Sequence, residues 1–192
     1  MTSLELTKNI LTNKYFNNSL LPDNAKLYAI VDGAKLETLY SSIQLNATLH
    51  CCLYDGALQD HFEEAAPYLI YLDPSSDFTQ TLIQNNLNND CMILLHSTKN
   101  INDLAEHFKN YTVVYIEHLD QHALYAFYDP RVADFHFEHL SKEEIQEFLN
   151  PISCLSFTNS KRTGVLSCYY SSDNRQGWSK TDAILNKDNV VA

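Results

Sequence analysis

The sequence predicts an α/β protein, a mixed β-sheet flanked by helices, and three observations predict it. Short apolar runs such as Leu27–Val31 and "CMILL" at 91–95 are each followed by a segment whose apolar residues recur every three or four positions. Helix-start signals stand at those junctions, with Asp32 placed to cap and "SSDFTQTLIQ" at 75–84 reading as a capped helix. The hydrophobic fraction of 45%, with 12 Tyr and 9 Phe, is enough to bury a core, while 192 residues are too few for two full-size domains.

In chain order, "KLYAIVDGAKLETLYSSIQ" (26–44) starts as a strand and changes period at Asp32, after which Leu36, Leu39, Tyr40 and Ile43 fall on one helical face. "TLHCCLYDG" (48–56) reads as a strand closed by an Asp-Gly turn, and "PYLIYLD" (67–73), opened by Pro67, as a buried strand. The helix at 75–84 presents Phe78, Leu82 and Ile83. "CMILLHS" is the next strand, and Ile101, Leu104, Ala105 and Phe108 give the following helix its apolar face. "YTVVYIEHLDQHALYAFYD" (111–129) reads as two antiparallel strands joined around Asp120 and Gln121, so the sheet is expected to be mixed. A helix follows Pro130. The next, "LSKEEIQEFLNP" (140–151), holds a capping box between Ser141 and Glu144, a Leu140–Ile145 staple and a stop at Pro151.

Residues 1–153 are thus read as one α/β domain and 154–192 as a short C-terminal appendage. Within the appendage "CLSFTNSKRTGVLSCYY" suggests a hairpin turning near Arg162–Gly164. The remainder has few apolar residues and reads as a flexible tail in which Trp178, the single tryptophan, is solvated.

The formal net charge is −11, and residues 161–192 carry five cations against three anions, which leaves −13 on residues 1–160. A body so acidic repels phosphate backbones, which argues against nucleic acid and favours a basic or neutral protein partner. No apolar run approaches the ~20 residues needed to span a bilayer, and the opening "MTSLELTKN" is too polar for a leader, so a cytoplasmic protein without membrane contact is expected. The five cysteines (51, 52, 91, 154, 168) lack framework spacing, as in a reducing compartment.

Catalytic signatures are missing. The four glycines (33, 56, 164, 177) are too far apart for a dinucleotide or Walker loop, and no nucleophile elbow, H-E-x-x-H or C-x-x-C occurs. His118 and His122 lie in a turn, while His136 and His139 stand at i, i+3 without a third ligand, and Cys51 and Cys52 cannot be placed beside them. Glu63 and Glu64 read as helix surface rather than as an acid/base pair. No metal, cofactor or enzymatic activity is expected.

The stretch "ALYAFYDPRV" (123–132) is the most sharply punctuated in the chain. Asp129 can cap a new helix, and Pro130 suits its first position because the missing N–H would be unpaired there. Arg131 opposes the helix dipole and should have a carboxylate partner. A partner inside the fold would make removal of Arg131 costlier than removal of Asp129.

"LYAIVDGA", "APYLIYLD", "ILLHS", "FYDPRV" and "FLNPIS", in this order and spacing over about residues 26–153, resemble the effector adaptor (chaperone) family of the bacterial type VI secretion system. The resemblance implies a non-catalytic protein of the producing cell's cytoplasm that binds one toxic effector and helps load it onto the VgrG spike. It also implies an α/β lobe carrying the motifs, followed by a more variable lobe. Asp32, Pro67, Tyr128, Asp129 and Pro130 are then structural motif residues, and Tyr125, Phe127, Arg131 and Trp178 are candidates for partner binding. The chain departs from the family's pattern where His107, Phe108 and Lys109 replace an H-L-R-like triplet, and where Tyr125-Ala126 replaces Phe-Arg. An immunity-type protein that blocks a toxin directly is the alternative, and a metal-dependent hydrolase on His136 and His139 a more distant one.

Overall fold

The computed structural model describes residues 3–16, 18–159, 161–162, 164–171 and 178–185. A seven-stranded sheet runs through the molecule in the order β2-β3-β1-β4-β7-β8-β9. Its strands are β1 (Lys26–Asp32), β2 (His50–Cys52), β3 (Pro67–Tyr71), β4 (Met92–Ser97), β7 (Cys154–Thr158), β8 (Val165–Ser171) and β9 (Trp178–Ile184). Strands β5 (Val113–Ile116) and β6 (Gln121–Leu124) form a separate hairpin. The helices are α1 (Ser3–Leu11), α2 (Leu39–Leu45), α3 (Gly56–Phe62), α4 (Asp77–Asn86), α5 (Ile101–Lys109), α6 (Pro130–His139) and α7 (Lys142–Leu149). The α/β class is as predicted. The mixed sheet is not found, because every neighbouring pair of strands is antiparallel.

Strand alternation divides the core in two. Ala29, Val31, Ile70, Met92 and Leu94 face a layer that holds Ile10, Leu39, Ile43, Leu82 and Ile83, from α1, α2 and α4. Their neighbours Tyr28, Ile30, Leu69, Ile93 and Leu95 face the opposite layer, with Leu104, Phe108, Phe137, Ile145 and Phe148 from α5, α6 and α7. Each central strand is buried on both faces, which is why it reads as a continuous apolar run.

Several predicted elements stand as read. Ser76 and Asn100 cap α4 and α5 by accepting the Thr79 and Asp103 amides, and α7 has both bonds of its capping box. The β7–β8 hairpin turns between Thr158 and Val165. Other expectations are corrected. Asp32 does not cap α2; its Oδ1 accepts the Ala34 amide at 3.0 Å within a turn, and the cap position of α2 is Thr38, whose side chain makes no cap bond. The Asp-Gly pair closes no hairpin, since Gly56, with φ of 52°, opens α3.

The described strands after residue 153 belong to the main sheet rather than to an appendage. β7 pairs with β4, β8 with β7 and β9 with β8, so almost half of the sheet's width comes from this segment. Trp178 is the first residue of β9, half-buried with its ring 5.6 Å from that of Tyr169. The expected flexible tail otherwise falls on 172–177 and 186–192, outside the described residues.

Candidate partner-binding site

Three distant pieces of sequence converge where β1 ends. Asp32, last in β1, pairs across the sheet with Pro67, first in β3. Pro67 is tolerated there because a first strand residue need not donate to the ladder. Gly33 follows and sends its amide to the Ala66 carbonyl at 3.1 Å. A side chain could not share that space, because a Cβ on Gly33 would lie 2.4 Å from the Ala66 oxygen. On the other side the Asp32 amide donates to the Cys91 carbonyl at 2.8 Å, which brings the loop before β4 into the junction.

Asp129 closes the arrangement. It is 5% exposed and caps α6 by accepting the Arg131 amide on Oδ1 at 2.9 Å. The Arg131 guanidinium grips the same carboxylate at both oxygens, Nε to Oδ1 at 3.1 Å and Nη2 to Oδ2 at 2.8 Å. Lys35, from the turn after β1, reaches Oδ2 at 2.6 Å and donates to the Asp90 carbonyl at 2.5 Å. Burial would raise the Asp129 pKa, but hydrogen bonds from Arg131 and Lys35 outweigh it and hold the group at about 2. Asp32 moves the other way, raised by burial against the bond from Ala34 and the charge of Lys35. The two carboxylates share one lysine, and Asp129 holds it.

Arg131 therefore has the carboxylate partner its position demands, and that partner is its own cap residue. The guanidinium is itself 58% exposed, with Asp90 as a second carboxylate at 3.9 Å. The expected order of costs reverses: Asp129 collects four bonds in a buried place, whereas Arg131 leans on it from solvent.

Just before Asp129, Phe127 and Tyr128 are core residues. Phe127 is 1% exposed between Phe108, stacked at 5.7 Å, and Phe148 at 5.4 Å, so it can touch no partner unless the core opens. Tyr128 is buried, and burial followed by a hydrogen bond with Tyr54 raises its phenol. Tyr125 is half-buried at the foot of the hairpin, its hydroxyl bonded to His136 Nδ1, and burial pushes it up to about 12. Of the four residues read as partner candidates, Arg131, Trp178 and Tyr125 reach the surface and Phe127 does not. The first three sit on different elements.

The hairpin forms where the sequence predicts it, but the sequence did not show that it stands apart from the main sheet with its apolar side chains exposed. No residue of β5 or β6 is buried, and Tyr115, Leu119 and Leu124 are each more than half exposed. Asp120, with φ of 48°, makes the turn, and its carboxylate accepts the Tyr115 hydroxyl at 2.5 Å. At the foot of the hairpin lies a cavity of about 280 Å3, bounded by Tyr111, His136, Leu140, Glu144, Glu147 and Phe148. The signal was present as apolar residues on both strands of a predicted hairpin, but a sequence does not say whether a third layer covers them.

His118 and His122 are exposed on this hairpin. His139 Nδ1 donates to the Phe135 carbonyl at 2.7 Å while His136 meets Tyr125, so the two imidazoles of α6 serve separate partners. Glu63 and Glu64 lie exposed in a 3-10 turn. Among the described residues no three His, Cys, Asp or Glu side chains are gathered as a metal ion would require.

The fold and site define a three-layer α/β protein whose motif residues tie strand ends together beneath an exposed apolar hairpin. The chain belongs to the family described as Domain of unknown function (DUF4123), whose model matches residues 27–147. That family is associated with type VI secretion effector adaptors. Comparison with curated proteins and with solved structures returned no match. The matched span starts one residue into β1 and ends within α7, so β7, β8 and β9 complete the sheet from outside it. No helix of the described residues is long and apolar enough to cross a membrane.

Proposed function

We propose that this protein is a type VI secretion effector adaptor, which binds one toxic effector in the cytoplasm of the producing cell and helps load it onto the VgrG spike. The family match over residues 27–147 carries this reading. The hairpin supports it, since Tyr115, Leu119 and Leu124 offer a contact surface that the fold does not use. The adaptor works without turnover: Asp129, the most strongly ionised carboxylate of the motif region, spends its lone pairs on Lys35, Arg131 and a helix cap. An effector segment of basic or neutral character fits the −11 net charge.

Deletion of the gene tests the reading. The expected outcome is loss of delivery of one effector, with the producer still resistant to attack by its siblings. Normal secretion with self-intoxication would overturn it in favour of an immunity-type protein. In co-expression, the effector encoded beside this gene should co-purify with the chain and, at a hundred times its dissociation constant, add about 2.7 kcal/mol to its stability.

A further inference from the structure

The two edges of the main sheet are built differently. β2 is three residues long, too short to template another strand. β9 is seven residues long, and among the described residues it has β8 on one side and no strand on the other. The Leu185 amide donates to the Gly164 carbonyl, which fixes the phase of the β8–β9 ladder. Ser179, Thr181 and Ala183 turn their backbone groups toward β8, and Trp178, Lys180, Asp182 and Ile184 turn theirs outward.

We propose that this edge pairs with β9 of a second copy of the chain, antiparallel about a twofold axis through Thr181. In that register Lys180 stands opposite Asp182 of the second copy, and Asp182 opposite its Lys180. Trp178 stands opposite Ile184, and all seven residues overlap. The outward amides and carbonyls of Lys180 and Asp182 then exchange both bonds of a hydrogen-bonded pair. A twofold axis at Lys180 would set lysine against lysine, and one at Asp182 aspartate against aspartate, each with a shorter overlap. Like charges directly opposite destabilise a pair of strands and opposite charges stabilise it, so the charges select one register. Lys180 lies over the Tyr169 ring at 5.1 Å, and the carboxylates of its own chain that act on it are Asp182 and Asp134. Asp182 is bound to Arg162 through Oδ2 at 2.6 Å and accepts the Ser167 hydroxyl on Oδ1 at 3.3 Å, which leaves further acceptor capacity on that oxygen. A lysine in an edge strand discourages pairing with strands in general, yet suits a strand that presents a carboxylate opposite it.

The test is sedimentation equilibrium of the full chain from micromolar to hundreds of micromolar. Wild type is expected to dimerise reversibly. Lys180→Asp and Asp182→Lys, each confirmed as folded by circular dichroism, should each weaken the dimer by about tenfold or more, since two attractive pairs become repulsive. An equimolar mixture of the two variants should dimerise as wild type does, because every facing pair is again of opposite sign. Lys180→Pro, which removes an outward amide at a position where an edge strand tolerates proline, should be monomeric. A wild type that stays monomeric throughout, a dimer unaffected by both charge changes, or a mixture no tighter than its components would each overturn the proposal. A monomer that pairs instead with an extended segment of another protein belongs to the first of these outcomes.

Discussion

The hairpin β5–β6 and the turn from Tyr125 to Arg131 are adjacent in the chain and opposite in construction. The hairpin is rich in valine, tyrosine and leucine, yet none of its strand residues is buried. The turn carries three aromatic rings and two charges, and of these only Arg131 is exposed. Composition would assign the apolar segment to the core and the charged one to the surface. The difference lies in satisfaction: Asp129 can be buried because Arg131, Lys35 and a helix cap occupy its oxygens. The hairpin can stay exposed because β5 and β6 pair with each other and water can satisfy the backbone groups they turn outward. Residues that hold the fold and residues free to meet a partner thus divide at Leu124.

Phe127→Ala should break the comparison most sharply. Removing a ring buried between Phe108 and Phe148 should cost about 3–5 kcal/mol in urea unfolding, and a variant that melts like wild type would remove Phe127 from the core.

Next is Asp129→Ala, expected to cost about 2 kcal/mol through the lost cap and the unpaired Lys35. Arg131→Ala should lower the melting temperature less, because its guanidinium is solvated. The reverse order in thermal melts would make Arg131 the internal anchor.

Acid unfolding should resolve the turn from a second buried group on the opposite face of the sheet. His96 is fully buried, bonded through Nε2 to Asn13 at 2.8 Å, and burial lowers its pKa from 6.5 to about 4. The folded state holds fewer protons there than the unfolded state, so stability should fall as pH drops from 6.5 toward 4. Asp129 is lowered from 3.8 to about 2, so its contribution is complete above 3.8 and is lost as pH falls toward 2. Stability measured against pH should therefore decline in two stages. Asp129→Ala should flatten the lower stage alone, and loss of both stages together would mean the two sites are not independent.

The smallest effect on stability is expected in the hairpin. Leu119→Ser combined with Leu124→Ser should change unfolding free energy by no more than about 0.5 kcal/mol, while retention of the effector in co-purification is lost. Retained binding would move the contact surface away from the hairpin.

The sequence by itself determined the parts whose physics is local. Ser76, Asp129 and Ser141 each cap within three residues, so the starts of their helices were legible from local capping chemistry, while α5 was legible from the spacing of its apolar residues. β1, β3 and β4 were legible because strands buried on both faces read as unbroken apolar runs. Tertiary structure decided the rest. Lys35 lies 94 positions from Asp129, and no spacing rule reaches that far. β9 escaped detection because an edge strand draws its hydrogen bonds from β8 and needs little apolar surface of its own. Helix α1 escaped because its short polar segment becomes helical by packing beside α4, with Ile10 and Leu11 buried in the core layer there. Strand direction was equally hidden: an apolar run records that it is buried, whereas its orientation depends on the path the chain takes between strands.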